Sequence, residues 1–446
     1  AGQFAQLAAA MRSRGAFAEN CGQKVAHFLV QCLFCMFAED EQLLPAGIFT
    51  DLLKNAGSDA DKAARRIEKL FTAMQKKGGD YGDHDIAWFN GGLFKNIEIP
   101  ALTSADLQAL HRAAADMDWR AIDPTIFGTL FERGLDPAAR APLGAHYTDT
   151  GTIAKLIEPL VSEPLAAEWA TIRPQLAAGL GKGPKSKEGK AARAAYQSFL
   201  LRLNHYRVLD PACGSGNFLY IAYRELKRLE ARIYERIGEF ASRNAAQRPF
   251  GFVSSKNFYG MDIQPFAVEL AKVTMMLAHK LAIDELHVTE NALPLDNLDA
   301  NFIIGDALIQ ADGTRSEWPK VDVIIGNPPF IGAKLLKPLL GADTVKAIRR
   351  AYPEVPGMAD FCVHWLRRAH DHLPPCTAQD PVAGRAGLVG TQNIRNNASR
   401  IGGLDSICVD GTIIEAVDNQ PWSGEANVHV SIANWIKTQE AALLPK

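Results

Sequence analysis

The fold prediction rests on one stretch, Val321-Asp-Val-Ile-Ile-Gly-Asn-Pro-Pro-Phe330. Its apolar and largely β-branched beginning predicts a buried parallel strand. Because Pro328 and Pro329 cannot continue a strand or enter a helix interior, the chain must leave the sheet in a fixed extended turn. The stretch therefore places the amide of Asn327 at the carboxyl end of a central strand, where open α/β sheets bind their ligands.

The same turn offers several hydrogen-bond acceptors beside a flat ring. The side-chain carbonyl of Asn327 and the backbone carbonyls of Asn327 and Pro328 suit a planar –NH2 group, and the ring of Phe330 suits stacking on a heterocycle. An exocyclic amine is a poor nucleophile because its lone pair is delocalised into the ring, and acceptors on both of its hydrogens would free that lone pair. Taken alone, the motif fits an ordinary Pro-Pro strand exit equally well.

A second motif supports the chemical interpretation. The segment Arg207-Val-Leu-Asp-Pro-Ala-Cys-Gly-Ser-Gly-Asn-Phe-Leu219 predicts a strand, a glycine-rich turn and the start of a helix. Gly214 and Gly216 allow the backbone to approach a ligand closely, and Asp210 ends the strand. The full dinucleotide-binding fingerprint is absent, since only two glycines are present.

Together, the two motifs resemble those of the amino-group DNA methyltransferases that use S-adenosylmethionine. Gly144–Thr148 resembles the methionine-binding motif of that family, Tyr259–Ile263 its second strand, and Ile304–Ala307 the end of its third strand. In this family the order of these motifs is the gamma arrangement, with the target-recognition domain last. The chain is most similar to the MmeI-like methylases of bacterial restriction and phage-defence systems.

The resemblance implies a role for each matching residue. It assigns the methionine amino group to Asp210, the ribose diol to Asp262 and the cofactor adenine amine to Asp306, although each could simply cap a strand end. The cofactor-binding residues it implies are Tyr147, Thr148, Asp210, Ala212, Gly214, Gly216, Asn217, Phe218, Asp262, Ile263, Asp306 and Ala307. The catalytic residues it implies are Asn327, Pro328, Pro329 and Phe330, acting on the N6 amine of a flipped adenine in double-stranded DNA. The resemblance also implies S-adenosylhomocysteine as the product and no requirement for a metal.

Two other functions remain open at this point. The same turn could methylate another amine, such as an RNA base or a glutamine side chain of a protein. The chain could also be a non-catalytic, cofactor-binding subunit of a defence complex.

Alternation of strand and helix patterns beyond residue 200 predicts a doubly wound, Rossmann-like, mostly parallel seven-stranded sheet. Strands are expected at 206–210, 258–262, 301–305, 321–326, 386–390, 411–418 and 427–437. Residues 1–140 show three- and four-residue apolar spacing and no strand pattern, which predicts an all-helical spacer domain before a methyltransferase domain at 141–446. The glycine-rich, basic segment 179–194 is expected to be a flexible solvated loop, with a phosphate-contacting loop as the alternative.

Composition sets further limits. The net charge of -2 provides no overall basic field for nucleic acid. We therefore expect DNA recognition to need a C-terminal domain or a partner subunit that this chain lacks. Seven scattered cysteines indicate reduced thiols and a cytoplasmic location, and no signal peptide is evident. Cys32 and Cys35 lie in the apolar run Val25–Phe37, which predicts a buried helix face that is too short for a bilayer.

Overall fold

The computed structural model describes residues 2–17, 21–89, 92–121, 123–125, 128, 148–183, 185–238, 252–285, 298–421 and 429–445. Two regions of secondary structure follow one another along the chain. The first is mainly helical, and the second is built on a seven-stranded sheet. The predicted boundary between residues 140 and 141 lies outside the described residues and stays a prediction.

In its described residues, the first region contains five α-helices around one apolar core. They are α1 Gly2–Ser13, α2 Cys21–Asp40, α3 Ile48–Ala56, α4 Ala60–Gln75 and α5 Ser104–Asp116. The prediction that this region is entirely helical is wrong in one place, because β1 (Gly79–Tyr81) and β2 (His84–Ile86) form an antiparallel hairpin. Gly82 turns the hairpin with a φ of 63°, a conformation that glycine adopts at little cost. Such a short hairpin leaves little trace in hydrophobic periodicity.

Helix α2 is the central helix of this core. Its 20 residues are long and apolar enough to span a membrane, so the expectation that the run is too short for a bilayer is wrong. Most of the helix is nevertheless buried against its neighbours, and Gln31 donates hydrogen bonds to the carbonyls of Leu93 at 2.7 Å and Asn96 at 3.0 Å. Cys32 and Cys35 are fully buried unpaired thiols whose pKa values are raised by burial, which confirms the prediction of a buried helix face.

An antiparallel helical hairpin precedes the sheet. After α6 (Thr150–Ile157), helix α7 (Glu163–Gly181) pairs with α8 (Lys187–His205). The prediction of a flexible loop at 179–194 is therefore wrong. Its glycine content has a packing cause, because a Cβ on Gly179 would lie only 2.6 Å from the Ala192 methyl group. The turn ends at Ser186, whose hydroxyl accepts from the backbone N–H of Gly189 at 3.0 Å and caps α8.

The predicted mostly parallel seven-stranded sheet is confirmed. Its strands are β3 Val208–Asp210, β4 Phe258–Asp262, β5 Phe302–Ile304, β6 Val323–Gly326, β7 Arg385–Thr391, β8 Thr412–Pro421 and β9 His429–Ile436. The spatial order is β5-β4-β3-β6-β7-β9-β8, with parallel pairing from β5 to β7 and antiparallel pairing of β9 with both β7 and β8. The chain first proceeds from β3 towards β5 and then returns to place β6 on the other side of β3. Strand order therefore reverses between β3 and β6, where such sheets bind ligands.

Helices cover both faces of the sheet. On one face, α9 (Asn217–Gly238) and α10 (Pro265–Glu285) share a core with Val323 and Ile325, whereas Ile324 points to the opposite face and packs with α13 (Val363–His372). This alternation follows from the two-residue period of a strand. Both faces are covered, so the central strands are uniformly apolar.

Helix α10 contributes to two cores at once. Val268, Ala271, Met275, Ala278 and Ala282 pack in the sheet core. A second row of side chains packs with the helices of the first region, and consists of Ala267, Leu270, Val273 and Leu277. The Lys280 ammonium also pairs with Glu41 of the first region at 3.0 Å. Helix α10 therefore packs in the cores of both regions and connects them.

Candidate active site

Asp210 ends β3 at the point where strand order reverses, and its carboxylate is fully buried. Oδ1 accepts from the backbone N–H of Ala212 at 3.0 Å, whereas Oδ2 has no hydrogen-bond partner among the described residues. Burial, reinforced by the charge of Asp262, raises the pKa of Asp210 to about 8. A Cβ on Gly326, at the end of β6, would overlap Oδ1, so glycine there lets the two strand ends meet.

The two glycines of the turn after β3 have different functions. Gly214 has a φ of 51°, and a Cβ there would meet no atom within 4 Å, which leaves that side of the turn open to a ligand. Gly216 has a φ of 83°, but its Cβ would lie 3.1 Å from the Cα of Ala271 on α10. At Gly216, the close approach is therefore between the turn and helix α10, whereas the sequence predicted an approach to a ligand.

Two further predicted residues begin α9. Asn217 and Phe218 are both buried, and Phe218 belongs to the hydrophobic core beneath the turn. The side-chain carbonyl of Asn217 has no hydrogen-bond partner among the described residues. Ala212 contributes its backbone N–H to Asp210.

Asp262 ends the neighbouring strand β4 beside this turn. Its Oδ2 accepts from the backbone N–H of Gly214 at 3.0 Å, and its Oδ1 accepts from that of Gln264 at 2.8 Å. Burial raises its pKa despite these hydrogen bonds. The next side chain, Ile263, is 58% exposed, which makes it available to a flat apolar ligand.

Asp306 and Ala307 follow β5. Oδ1 of Asp306 accepts from the backbone N–H of Leu308 at 2.7 Å, while Ala307 is buried and its carbonyl accepts from the Trp318 indole at 2.7 Å. Asp306 and Met261 line an open cleft of about 640 Å³ at this edge of the sheet. The acids of three adjacent strands thus lie along one edge, as the sequence predicts.

Asn327 follows β6 directly and contacts Thr148. Its Nδ2 donates to the Thr148 hydroxyl at 3.3 Å, and its Oδ1 is buried with no hydrogen-bond partner among the described residues. Thr148 is buried just before α6, whose N-cap is Asp149. The contact joins segments 179 residues apart and orients the amide so that its acceptor oxygen remains available. A buried acceptor of this kind is costly unless a donor reaches it.

The other residues of the predicted catalytic turn, Asn327–Phe330, pack against the protein to different extents. Pro328 is buried, Pro329 is half-buried, and the ring of Phe330 is half-buried against the sheet core. Tyr147, which is predicted to bind the cofactor, lies outside the described residues.

Sequence reasoning missed Asp360, which holds the chain that follows the catalytic turn. Its Oδ1 accepts from the backbone N–H of Ala333 at 3.2 Å, and its Oδ2 accepts from the Thr391 hydroxyl at 2.7 Å and the Asn393 amide at 3.1 Å. Its own N–H donates to the Ser399 hydroxyl at 3.0 Å. No local sequence pattern marks this residue, because its partners are 27 to 39 positions away.

The strand order, the glycine-rich turn and the Asn-Pro-Pro-Phe turn define a Rossmann-like methyltransferase core. Residues 186–443 match the family model described as the MmeI DNA-methyltransferase domain, and residues 23–94 match the MmeI helicase spacer domain. The chain belongs to the MmeI DNA-methyltransferase family.

Individual relatives agree with this assignment. The chain is 28% identical over 325 residues to DNA methyltransferase A of Bacillus subtilis (strain 168), an alignment that covers 69% of this chain and 34% of that protein. It is 24% identical over 189 residues to the adenine-specific methyltransferase BrxX of Escherichia coli O9:H4 (strain HS), covering 39% of this chain and 15% of that protein. The chain thus spans a minor part of each of these relatives.

A solved structure shows the same fold. The Type IIL restriction-modification enzyme MmeI in complex with DNA superposes with a TM-score of 0.74 and 23% sequence identity. The superposition covers 100% of this chain and 59% of the MmeI chain.

Proposed function

We propose that this chain is the methyltransferase part of a restriction-modification or phage-defence protein. In this proposal it methylates the N6 amine of an adenine that has been flipped out of double-stranded DNA, with S-adenosylmethionine as methyl donor. The observation that carries the proposal is the buried, unpartnered Oδ1 of Asn327 at the reversal point of the sheet. Membership of the MmeI family supports the DNA substrate. The adenine assignment is also supported by the names of distant relatives, including BrxX.

The residues present fit S-adenosylmethionine. The unpartnered Oδ2 of Asp210 suits its methionyl ammonium group, the open side of Gly214 admits its backbone, and the exposed Ile263 suits one face of its adenine. Asp262 lies at the end of β4, where its carboxylate can accept from ribose hydroxyls. When bound, S-adenosylmethionine supplies an electrophilic methyl group on a sulfonium sulfur.

The protein's own part is to position and polarise the target amine. Asn327 Oδ1 and the carbonyl of Pro328 accept from the two amine hydrogens, which draws the nitrogen out of the plane of the base and frees its lone pair. Thr148 keeps the Asn327 amide in the orientation that presents the oxygen. Phe330 stacks on the extruded base. Most of the rate enhancement then comes from orientation, and no covalent enzyme intermediate is needed.

The decisive experiment compares Asn327→Ala with wild type in single-turnover methyl transfer from labelled S-adenosylmethionine to unmethylated genomic DNA. Loss of one preorganised polar contact in an active site slows chemistry by about 100- to 1,000-fold. Affinity for S-adenosylmethionine should be retained, because the proposed contact is with the target base.

Asn257→Ala is the matched control. Its amide donates to the carbonyl of Asn204 at 2.6 Å, just before β4 begins and therefore at the opposite edge of the sheet. This variant should turn over like wild type. Near-wild-type turnover of Asn327→Ala would refute the role of Asn327. Recovery of label in N4-methylcytosine, RNA or a glutamine side chain would refute the substrate assignment.

A further inference from the structure

The segment that follows the catalytic turn carries more basic than acidic residues. Residues 332–350 contain one acid, Asp343, and five basic residues, which are Lys334, Lys337, Lys346, Arg349 and Arg350. The whole chain, by contrast, has a net charge of -2. The residues that directly follow the proposed base-binding turn in the chain therefore carry a net positive charge.

Most of this charge faces solvent without an acidic partner. Lys334, Lys337, Lys346 and Arg350 are exposed, and none of them forms an ion pair within the part of the chain that the structure describes. Arg349 differs, because its guanidinium donates to the carbonyl of Gly357. Free cations of this kind are available to an external anion.

The basic segment is also rigidly held. Leu336 of α11 (Leu336–Leu340) and Val345 and Ile348 of α12 (Ala342–Ala351) are buried in the same core as α13. At its beginning, the backbone N–H of Ala333 is fixed by Asp360. Its cations are therefore presented on a fixed surface, and little ordering is needed before a ligand binds.

Three exposed apolar side chains lie on the chain segments that the Asp360 hydrogen bonds join. Leu335, Met358 and Ile401 are 55%, 62% and 57% exposed. Asp360 is hydrogen-bonded to Ala333 and Ser399. In the sequence, Leu335 is two positions from Ala333, Met358 is two positions from Asp360, and Ile401 is two positions from Ser399. The Asp360 contacts therefore join the backbone at Ala333, next to Lys334, to the segments that carry Met358 and Ile401.

We propose that residues 332–350, with Met358 and Ile401, form a surface that holds the duplex on one side of the flipped adenine. Lys334 and Lys337 contact phosphates, and Leu335 packs against the bases next to the extruded one. This inference rests on the proposed function and names where the duplex lies. Duplex DNA fits this combination because a phosphate backbone requires cations, whereas a base step opened by flipping exposes apolar surface.

The first test measures the salt dependence of duplex DNA binding for the double variant Lys334→Gln/Lys337→Gln. Each phosphate contact contributes about 0.9 to the slope of log affinity against log salt. The double variant should therefore lose about two from the slope. Its matched control is Lys187→Gln/Lys190→Gln, which makes the same charge change on the exposed side of α8. The control should keep the wild-type slope.

A second variant separates the apolar contribution. Leu335→Ala should keep the wild-type salt slope but slow single-turnover methyl transfer, because only packing against the bases is lost. A competition assay between duplex DNA and polyglutamate tests whether an acidic protein is the partner of this surface instead. Duplex DNA should bind far more tightly than polyglutamate at matched charge.

These outcomes distinguish the inference from the proposed function. If wild type methylates DNA while the Lys334→Gln/Lys337→Gln slope is unchanged, the surface is wrong and the activity stands. The surface is equally overturned if the α8 control loses the slope instead, if Leu335→Ala turns over at the wild-type rate, or if polyglutamate competes equally. Absence of methyl transfer to any duplex by wild type would instead reject the proposed function.

Discussion

Replacing Asp210 with asparagine perturbs the most strongly shifted carboxyl group of the site. The side chain is fully buried, only one of its oxygens has a hydrogen-bond partner among the described residues, and its pKa is raised to about 8. An aspartate in an unfolded chain titrates near pH 3.9. Asparagine has the same shape and can still accept from the N–H of Ala212, but it does not titrate.

The sign and size of the effect follow from this difference. A folded-state pKa above the unfolded value means that the folded protein retains a proton that the unfolded chain has lost. The stability contributed by this group is therefore complete below about pH 4 and is lost as pH rises through about 8. Within that window the unfolding constant of wild type should rise about tenfold per pH unit relative to Asp210→Asn, and the ratio should level off at higher pH.

Urea denaturation of both proteins without ligand, at one-unit steps from about pH 5 to about pH 9, measures this ratio. Asp85→Asn is the control, since Asp85 is an exposed carboxylate on β2, and it should follow the wild-type pH profile. Parallel profiles for wild type and Asp210→Asn would show that Asp210 is ionised in the folded protein. The electrostatic description of the site would then be wrong.

Three further substitutions test separate parts of the structure. Gly216→Ala should lower the free energy of unfolding by roughly 1–3 kcal/mol, because the φ of Gly216 is 83° and the new methyl group would lie 3.1 Å from Ala271. An unchanged urea denaturation midpoint would show that close packing against α10 does not require glycine at this position. Gly214→Val places its side chain in space that the protein leaves open, so calorimetry should show weakened S-adenosylmethionine binding, and equal affinity would reject this turn as the cofactor site. Asp360→Ala should slow single-turnover methyl transfer by up to about 100-fold while cofactor affinity is retained, and Asp360→Asn should restore part of the rate. If Asp360→Ala turned over at the wild-type rate, the contact between Asp360 and Ala333 would not position the catalytic turn.

The sheet was predictable because its signals are local. Phe258–Asp262 matches the predicted strand to the residue, and Val323–Gly326 lies within the predicted run. In both cases the strand leads to a polar residue, which is Asp262 at the end of β4 and Asn327 directly after β6. The segment 179–194 was mispredicted because glycine occurs both in flexible loops and where helices pack closely, and the sequence alone does not distinguish the two. Only the position of Ala192 against Gly179 shows that this glycine allows helices to pack closely.

The same limit applies to the candidate site. The three acids could be predicted, since Asp210 and Asp262 end the strands β3 and β4, and Asp306 comes two residues after β5. The unpartnered state of Asn327 Oδ1 could not be predicted, because it depends on Thr148, which lies 179 positions away. Asp360 escaped notice for a similar reason. Sequence patterns identify the groups that can do chemistry, whereas the contacts that orient those groups require the folded chain.

The shared helix α10 limits how this protein can be divided or recombined. A methyltransferase sheet separated from the helical region would expose Leu270, Val273 and Leu277 to water, because their packing partners lie in the first region. A spacer transplanted from a relative would have to match that row of side chains and provide a carboxylate for Lys280. Exchange of parts within this family should therefore succeed when α10 and the helices that cover it are inherited together.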